Sequence, residues 1–207
     1  MTNSYTHIQQ TGVFADPINI YKLNRKFTNK ELNFVKAVEK KAVRNATNKS
    51  SFDKYILNKP ALKGLKNFVQ DCLNHYLLDI YNPVDAIKIY ITQSWLNYTK
   101  QGESHHSHRH ENSIVSGVLY IETDAEDQIL FENDTYKFFD IIPKKYNQYN
   151  SKTWFFNVNP CECILFPSKL RHETNTKQNN STRTSLSFNS FIKGVIGNNQ
   201  RLTQLKI

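Results

Sequence analysis

The sequence predicts a mainly β, α+β domain in which two N-terminal helices support a closed or sandwiched core of about eight strands. Three observations carry this reading. Apolar residues recur at helical spacing from Leu32 to Ile80. From Ala86 onward the spacing falls to two, the period of half-buried strands. Aromatic residues make up 13% of the chain, 13 Phe and 11 Tyr among them, which suits a packed interior rather than a disordered chain.

Phe14–Leu23 alternates weakly and reads as an opening strand. Thr28-Asn-Lys-Glu31 matches a capping box, in which the Thr hydroxyl accepts a backbone N–H and the Glu reaches back. Leu32, Val35, Val38 and Val43 continue near helical spacing and predict a helix over Asn29–Arg44. Asn45–Asn58 is polar and loop-like. Pro60 opens a second helix, with a wide stripe of Leu62, Leu65, Phe68, Val69, Cys72, Leu73, Tyr76, Leu77 and Ile80 that stops at Asn82-Pro83. Ile87, Ile89, Ile91, Trp95 and Tyr98 then alternate with polar residues. Further strands are expected at Ile114–Thr123, Gln128–Glu132, Tyr136–Ile141, Thr153–Val158, Cys161–Pro167 and Thr184–Lys193, and Asn175–Thr182 reads as a loop near the site. With no repeat and no internal boundary, the expected organisation is one domain over 1–207. Its helical support covers 24–83, its β core 86–194 and a tail 195–207.

At 207 residues the chain buries a sizeable core, about 70% of its unfolded surface by size alone. The net charge is +9, yet Lys and Arg are scattered, with dense clusters only at Lys36–Arg44 and Lys144-Lys145. Without a basic stripe or a nucleic-acid motif, the charge reads as solubility, and nucleic acid is not an expected partner. Cys72, Cys161 and Cys163 cannot all pair, and Cys161-Glu-Cys163 lacks C-x-x-C spacing, so they read as small buried hydrophobes. No apolar run approaches the roughly 18 residues of a membrane span, and the start lacks a signal-like pattern; the expected location is the cytoplasm.

The chemistry gathers around histidine. His105, His106, His108 and His110 fall within six residues of a chain holding 7 His. His108 and His110 are two apart, so on an extended segment they share a side and can grip one ion. The run leads into Ser116-Gly117-Val-Leu-Tyr-Ile121, whose small start permits close approach of another backbone. His172, after the apolar stretch Cys161–Pro167, would complete a facial set with open positions opposite. Imidazole suits iron, zinc, copper and nickel alike, so the cluster does not name the metal. Downstream, Arg183 stands where it can hold a carboxylate beside the metal. Alternatives stay open on residues alone: a solvated His loop, a His106/His108 pair, or Glu111 as a ligand, although Glu111 neighbours His110 and should point away. Glu173 reads as solvated. Trp95, Asn97, Tyr120 and Asn189 are candidates for the substrate pocket, with core aromatics and strand-end amides as the plainer alternative.

From about Trp95 to Gly194 the chain resembles the 2-oxoglutarate- and iron(II)-dependent oxygenases of a small family found in bacteria and phages. The matching stretches are His108-x-His110-x-Asn112-Ser113 with SGVLYI, FPSKLRH ending in His172, and RTSLSFN from Arg183 to Asn189, with FADPI near the start. The resemblance implies a double-stranded β-helix (jelly-roll) barrel with iron at one mouth and His108 and His172 among its ligands. Arg183 would form a two-pronged salt bridge to the far carboxylate of 2-oxoglutarate, and Ser185 would add a hydroxyl bond. One departure matters. Most of the superfamily carries Asp or Glu where this chain has His110, so three neutral imidazoles leave the site one negative charge poorer, as in cupin-like dioxygenases with three His.

The implied activity is hydroxylation of an unidentified substrate, with dioxygen and 2-oxoglutarate as co-substrates and release of succinate and carbon dioxide. Two rivals stand beside it: a cupin-like three-His metalloenzyme that does not use 2-oxoglutarate, and a non-enzymatic jelly-roll binding or assembly module. A homodimer joined through a sheet edge or a helix is expected, since exposed edges invite association.

Overall fold

The computed structural model describes residues 8, 9, 12–134 and 141–207. Its elements are β1 (Asn19–Lys22), α1 (Asn29–Glu39), β2 (Val43–Asn45), β3 (Asn48–Ser50), α2 (Lys63–Tyr76), β4 (Lys88–Thr99), β5 (His105–His108), β6 (Val115–Glu122), β7 (Gln128–Glu132), β8 (Thr153–Asn157), β9 (Glu162–Pro167), β10 (His172–Thr174), β11 (Arg183–Lys193), β12 (Val195–Ile196) and β13 (Leu205–Lys206). The fold is mainly β with two helices, as expected. The strand expected at Tyr136–Ile141 lies outside the described residues except for Ile141.

The capping box forms as the sequence spells it: Glu31 N–H donates to the Thr28 hydroxyl and Thr28 N–H donates to the Glu31 carboxylate, at 3.2 and 2.8 Å. The helix stops at Glu39 rather than Arg44, because Val43–Asn45 pairs with Asn48–Ser50 in a hairpin that turns through Ala46 at φ 44°. That hairpin occupies part of the segment expected to be loop. The second helix opens with a 3-10 turn at Pro60–Leu62, and beyond Tyr76 it runs into a π turn over Leu77–Tyr81. Asn82, left-handed at φ 39°, ends it where the Asn-Pro pair predicted. The expected tail folds back as the β12–β13 hairpin, with Gly194 and Ile207 exchanging two 2.9 Å backbone bonds.

The β core is two open sheets. Seven strands run in the order β1-β9-β6-β11-β4-β3-β2 and four in the order β5-β10-β7-β8. Strand alternation divides the large sheet between two environments. Leu96, Leu119, Cys163, Leu165, Leu186 and Phe188 face the helices and pack with Leu65, Val69, Leu73 and Tyr76. Val118, Tyr120, Ile164 and Phe166 face the small sheet and meet Ile129 and Phe131. Gly117 is needed on the helix side: a Cβ there would lie 2.4 Å from both Leu165 and Phe188. The close approach expected at Ser116-Gly117 is thus by side chains, not backbone. Cys72 and Cys163 are buried and Cys161 is half-buried; all three are free thiols. Among the described residues no helix is long and apolar enough to cross a membrane.

Candidate metal centre

The same alternation that buries Leu96 and Leu186 on one face turns their neighbours to the other. Trp95, Asn97 and Thr99 of β4 and Arg183, Ser185 and Ser187 of β11 therefore line one pocket, with Val118 and Tyr120 of β6 beside them. Register fixes their order: Ser185 sits between Asn97 and Tyr120, and Arg183 opposite Thr99. The facing wall comes from the small sheet, where His172 of β10 lies directly opposite His108 of β5.

His108, His110 and His172 each offer a ring nitrogen, and these nitrogens lie within 4.8 Å of one another. Ring centroids are 4.4 Å apart for His108–His172, 4.8 Å for His108–His110 and 5.2 Å for His110–His172. Backbone oxygens set two of the tautomers. His108 Nδ1 lies 2.8 Å from the His106 carbonyl and His172 Nδ1 3.0 Å from the Leu170 carbonyl. A carbonyl only accepts, so Nδ1 carries the proton and Nε2 keeps its lone pair for an ion, an outer-shell orientation common to metal-binding histidines. Burial, reinforced by the neighbouring imidazoles, lowers the pKa of His110 to about 4 and holds His172 well below its ordinary value; burial also lowers His108. All three are neutral at physiological pH, the form that binds metal.

Glu111 is exposed, as its position beside His110 required. His106 is exposed too, outside the nitrogen cluster. Trp95 packs its ring edge-on to His110 at 5.7 Å. Asn189 is not in the pocket wall: its Oδ1 accepts from the Ser116 hydroxyl at 2.9 Å, beside a register shift in β11. Glu173, expected to be solvated, is half-buried at the pocket rim.

Arg183 is only 2% exposed and heavily bonded. Its Nη1 donates to Asp127 Oδ1 at 3.0 Å and Asn175 Oδ1 at 2.9 Å, and its Nη2 to Thr174 Oγ1 at 2.7 Å and the Asn175 carbonyl at 3.0 Å. All four terminal N–H groups are engaged within the protein, so the two-pronged salt bridge expected of Arg183 would have to share donors already in use. Asp127 is shared with buried Lys177, which also pairs with Asp124.

Sequence reasoning missed His105 as a pocket residue. Its Nδ1 is 3.0 Å from Asn48 Nδ2, and its backbone N–H donates to Thr174 Oγ1, the atom that also receives Arg183. Burial, then the charge of its His neighbours, lowers its pKa to about 3. With the Asn48 amide N–H₂ facing Nδ1, the Nε2–H is left as a donor. The signal was present in the cluster, but counting by twos from His108 selects His106, and a register shift between β10 and β5 undoes that count.

Two buried side-chain atoms lack any hydrogen-bond partner among the described residues, Tyr120 OH and Asn97 Oδ1, and both face this pocket. Unpaired buried polar groups cost free energy and mark a place where a ligand belongs. The free space is about 30 Å³, so anything larger than one or two waters enters only as wall side chains swing aside.

Residues 93–189 match the family described as "Putative 2OG-Fe(II) oxygenase", a span that holds all three histidines and Arg183. No curated protein matches the chain. Among solved structures, an oxidoreductase of the 2OG-Fe(II) oxygenase family from Burkholderia pseudomallei is 14% identical with a TM-score of 0.55, covering 83% of each chain. A prolyl-4-hydroxylase from Pseudomonas putida is 12% identical at 0.53, covering 83% of this chain and 91% of that one. HygX from Streptomyces hygroscopicus, with nickel, 2-oxoglutarate and hygromycin B bound, is 10% identical at 0.52, covering 84% and 82%. At these identities the structural likeness is one of fold.

Proposed function

From the match of residues 93–189 to the 2-oxoglutarate- and iron(II)-dependent oxygenases, we propose that His108, His110 and His172 hold the iron and that the polar wall from Tyr120 to Arg183 holds 2-oxoglutarate. The enzyme is a 2-oxoglutarate-dependent oxygenase with iron(II) as its metal; the reaction we assign is hydroxylation, on the two-sheet core of a double-stranded β-helix. The donor set fits. Three neutral imidazoles with free nitrogen lone pairs suit iron(II), and the near carboxylate of 2-oxoglutarate would bring the ion a negative charge of the kind that the missing carboxylate ligand supplies elsewhere. When bound, iron and 2-oxoglutarate supply the oxidising chemistry, with succinate and carbon dioxide released as 2-oxoglutarate is consumed.

The protein's own part is to bind, orient and keep water out. Tyr120 OH and Ser185 OH donate to the far carboxylate of 2-oxoglutarate. Arg183, held by Asp127 and Asn175, supplies the positive field. Asn97 turns its amide so that the N–H₂ faces the ligand while Ser187 donates to its oxygen, which also removes the orphaned acceptor. Trp95 covers the His110 side.

The observation that carries this reading is the unpartnered Tyr120 OH, buried in the pocket wall beside the equally unpartnered Asn97 Oδ1. Tyr120→Phe removes that oxygen alone. With no partner lost inside the protein, stability should hold or rise. Affinity for 2-oxoglutarate, titrated anaerobically into the iron-loaded protein by its metal-to-ligand absorption, should fall about tenfold or more, as for a bond to a charged group. Unchanged affinity would remove 2-oxoglutarate from this wall.

A further inference from the structure

Large apolar side chains are left in solvent around one strand. Between Ile141 and Phe155, Ile141, Ile142, Tyr146, Tyr149, Trp154 and Phe155 are 42–83% exposed, a patch of the kind that marks an interaction surface. A groove of about 650 Å³ runs past Ile141, Ile142, Tyr146, Trp154 and Phe155. β8 is the last strand of its sheet, and among the described residues no strand pairs with its outer edge. Sheet edges are ordinarily guarded by inward charge, proline or a bulge. The edge here reads Thr-Trp-Phe-Phe-Asn and has none of these.

Among the described residues from 141 to 157 the charge has one sign. From 141 to 157 the chain carries Lys144, Lys145 and Lys152 and no Asp or Glu, and all three lysines are exposed. Asp134 lies before this run. Glu132 is already held by the Ser107 hydroxyl, with Arg171 at 4.0 Å.

The groove also shares a sheet with the metal centre. His108 lies opposite His172, His172 opposite Phe131, and Phe131 opposite Trp154, one row across four strands. Directly paired residues point to the same face. At the usual spacing of about 4.8 Å between strands, Trp154 is roughly 10 Å from His172.

We propose that the β8 edge and its groove dock an acidic polypeptide segment, which adds as a strand along β8 with its acidic side chains against Lys144, Lys145 and Lys152. Strand addition uses the open backbone edge, the exposed aromatics take alternate side chains, and the lysines choose the sign of the partner. A second copy of this chain would set three lysines against three lysines. Nucleic acid has no use for a strand edge. Delivery of the docked segment to the metal rests on the ligand set proposed above; the docking itself does not.

The probe is a fluorescein-labelled random Glu–Tyr copolymer, followed by anisotropy at low ionic strength with the full chain and no added metal. A Lys–Tyr copolymer and a single-stranded oligothymidine serve as comparisons. The wild type should bind the Glu–Tyr copolymer and not the Lys–Tyr one. Lys144→Glu with Lys145→Glu and Lys152→Glu should weaken binding about tenfold or more, and Trp154→Ala with Phe155→Ala should do the same, as expected for anchoring aromatics. These side chains are exposed, so circular dichroism should match the wild type in both variants. Equal binding of the copolymer by wild type and both variants would overturn the proposal. So would oligothymidine binding as tight as copolymer binding, or a dimer by light scattering that the aromatic variant dissolves. Because no metal or 2-oxoglutarate is added, failure here leaves the oxygenase reading standing, and loss of 2-oxoglutarate binding leaves the docking surface standing.

Discussion

Arg183 and Asp127 form an ion pair 3.0 Å apart with both side chains only 2% exposed, and Lys177 lies 3.3 Å from the other oxygen of the same carboxylate. Asp127 thus holds two buried cations at once. It fixes Arg183 at the head of the pocket and keeps the local charge from building up. Removing one partner of a buried pair leaves uncompensated charge, which costs about 3–5 kcal/mol. Asp127→Asn should therefore lower unfolding free energy by about that much in a urea titration. A loss below about 1 kcal/mol would mean that Asn175 and Thr174 alone secure the guanidinium, since a single neutral hydrogen bond is worth about that.

His172 is the most buried of the three proposed ligands, packed 4.6 Å from the Phe166 ring. His172→Ala takes one of three nitrogen donors from a set that has no carboxylate to replace it. Iron measured in protein purified without a histidine tag should drop from stoichiometric to background. Full iron occupancy in that variant would show that the ion sits elsewhere.

Parts of the fold that depend on neighbours in sequence were legible. The Thr28–Glu31 box, the Asn82-Pro83 stop and the alternation placing Asn97, Tyr120 and Ser185 on one face all rest on local rules. The three histidines were legible for the same reason, since spacing of two and a strand-borne partner suffice. What escaped was set by register between distant strands. Asp127 meets Arg183, and Lys177 meets Asp127, from separate loops, with nothing in either segment to announce it. β2 and β3 are three residues each, too short to show a period. Asn189 follows the alternation of Ser185 and Ser187, but it lies beyond the pocket, where Ser116 claims it.

Gly117 lies on β6 against the helix-facing core. A Cβ at this position would meet Leu165 Cδ2 and Phe188 Cζ at 2.4 Å, side chains that are themselves fully buried. Neither has space to retreat in a close-packed interior. Gly117→Val should destabilise by about 1–3 kcal/mol or more through overpacking, seen as a lower melting temperature. The variant Gly117→Val with Phe188→Leu, which removes ring atoms from the clash, should recover part of the loss. No recovery would mean that the backbone, not the Phe188 ring, sets the limit.

His105 tests the pocket from the side the sequence did not predict. It stands between the histidine cluster and Arg183, its ring 4.7 Å from that of His108 and its backbone tied to the Thr174 hydroxyl that Arg183 also reaches. With Nδ1 turned to Asn48, Nε2–H remains as a donor on a residue that lines the pocket. His105→Phe keeps a flat ring of similar size and removes the donor, whereas His105→Gln retains an N–H at nearly the position of Nε2. Iron content should be unchanged in both variants, since His105 lies outside the nitrogen cluster. Affinity for 2-oxoglutarate should fall roughly fivefold to tenfold in His105→Phe, the worth of about one hydrogen bond, and stay near wild type in His105→Gln. If the two variants bind 2-oxoglutarate alike, the imidazole only fills space. If His105→Phe loses iron instead, His105 belongs to the metal shell and the three-histidine set must be redrawn.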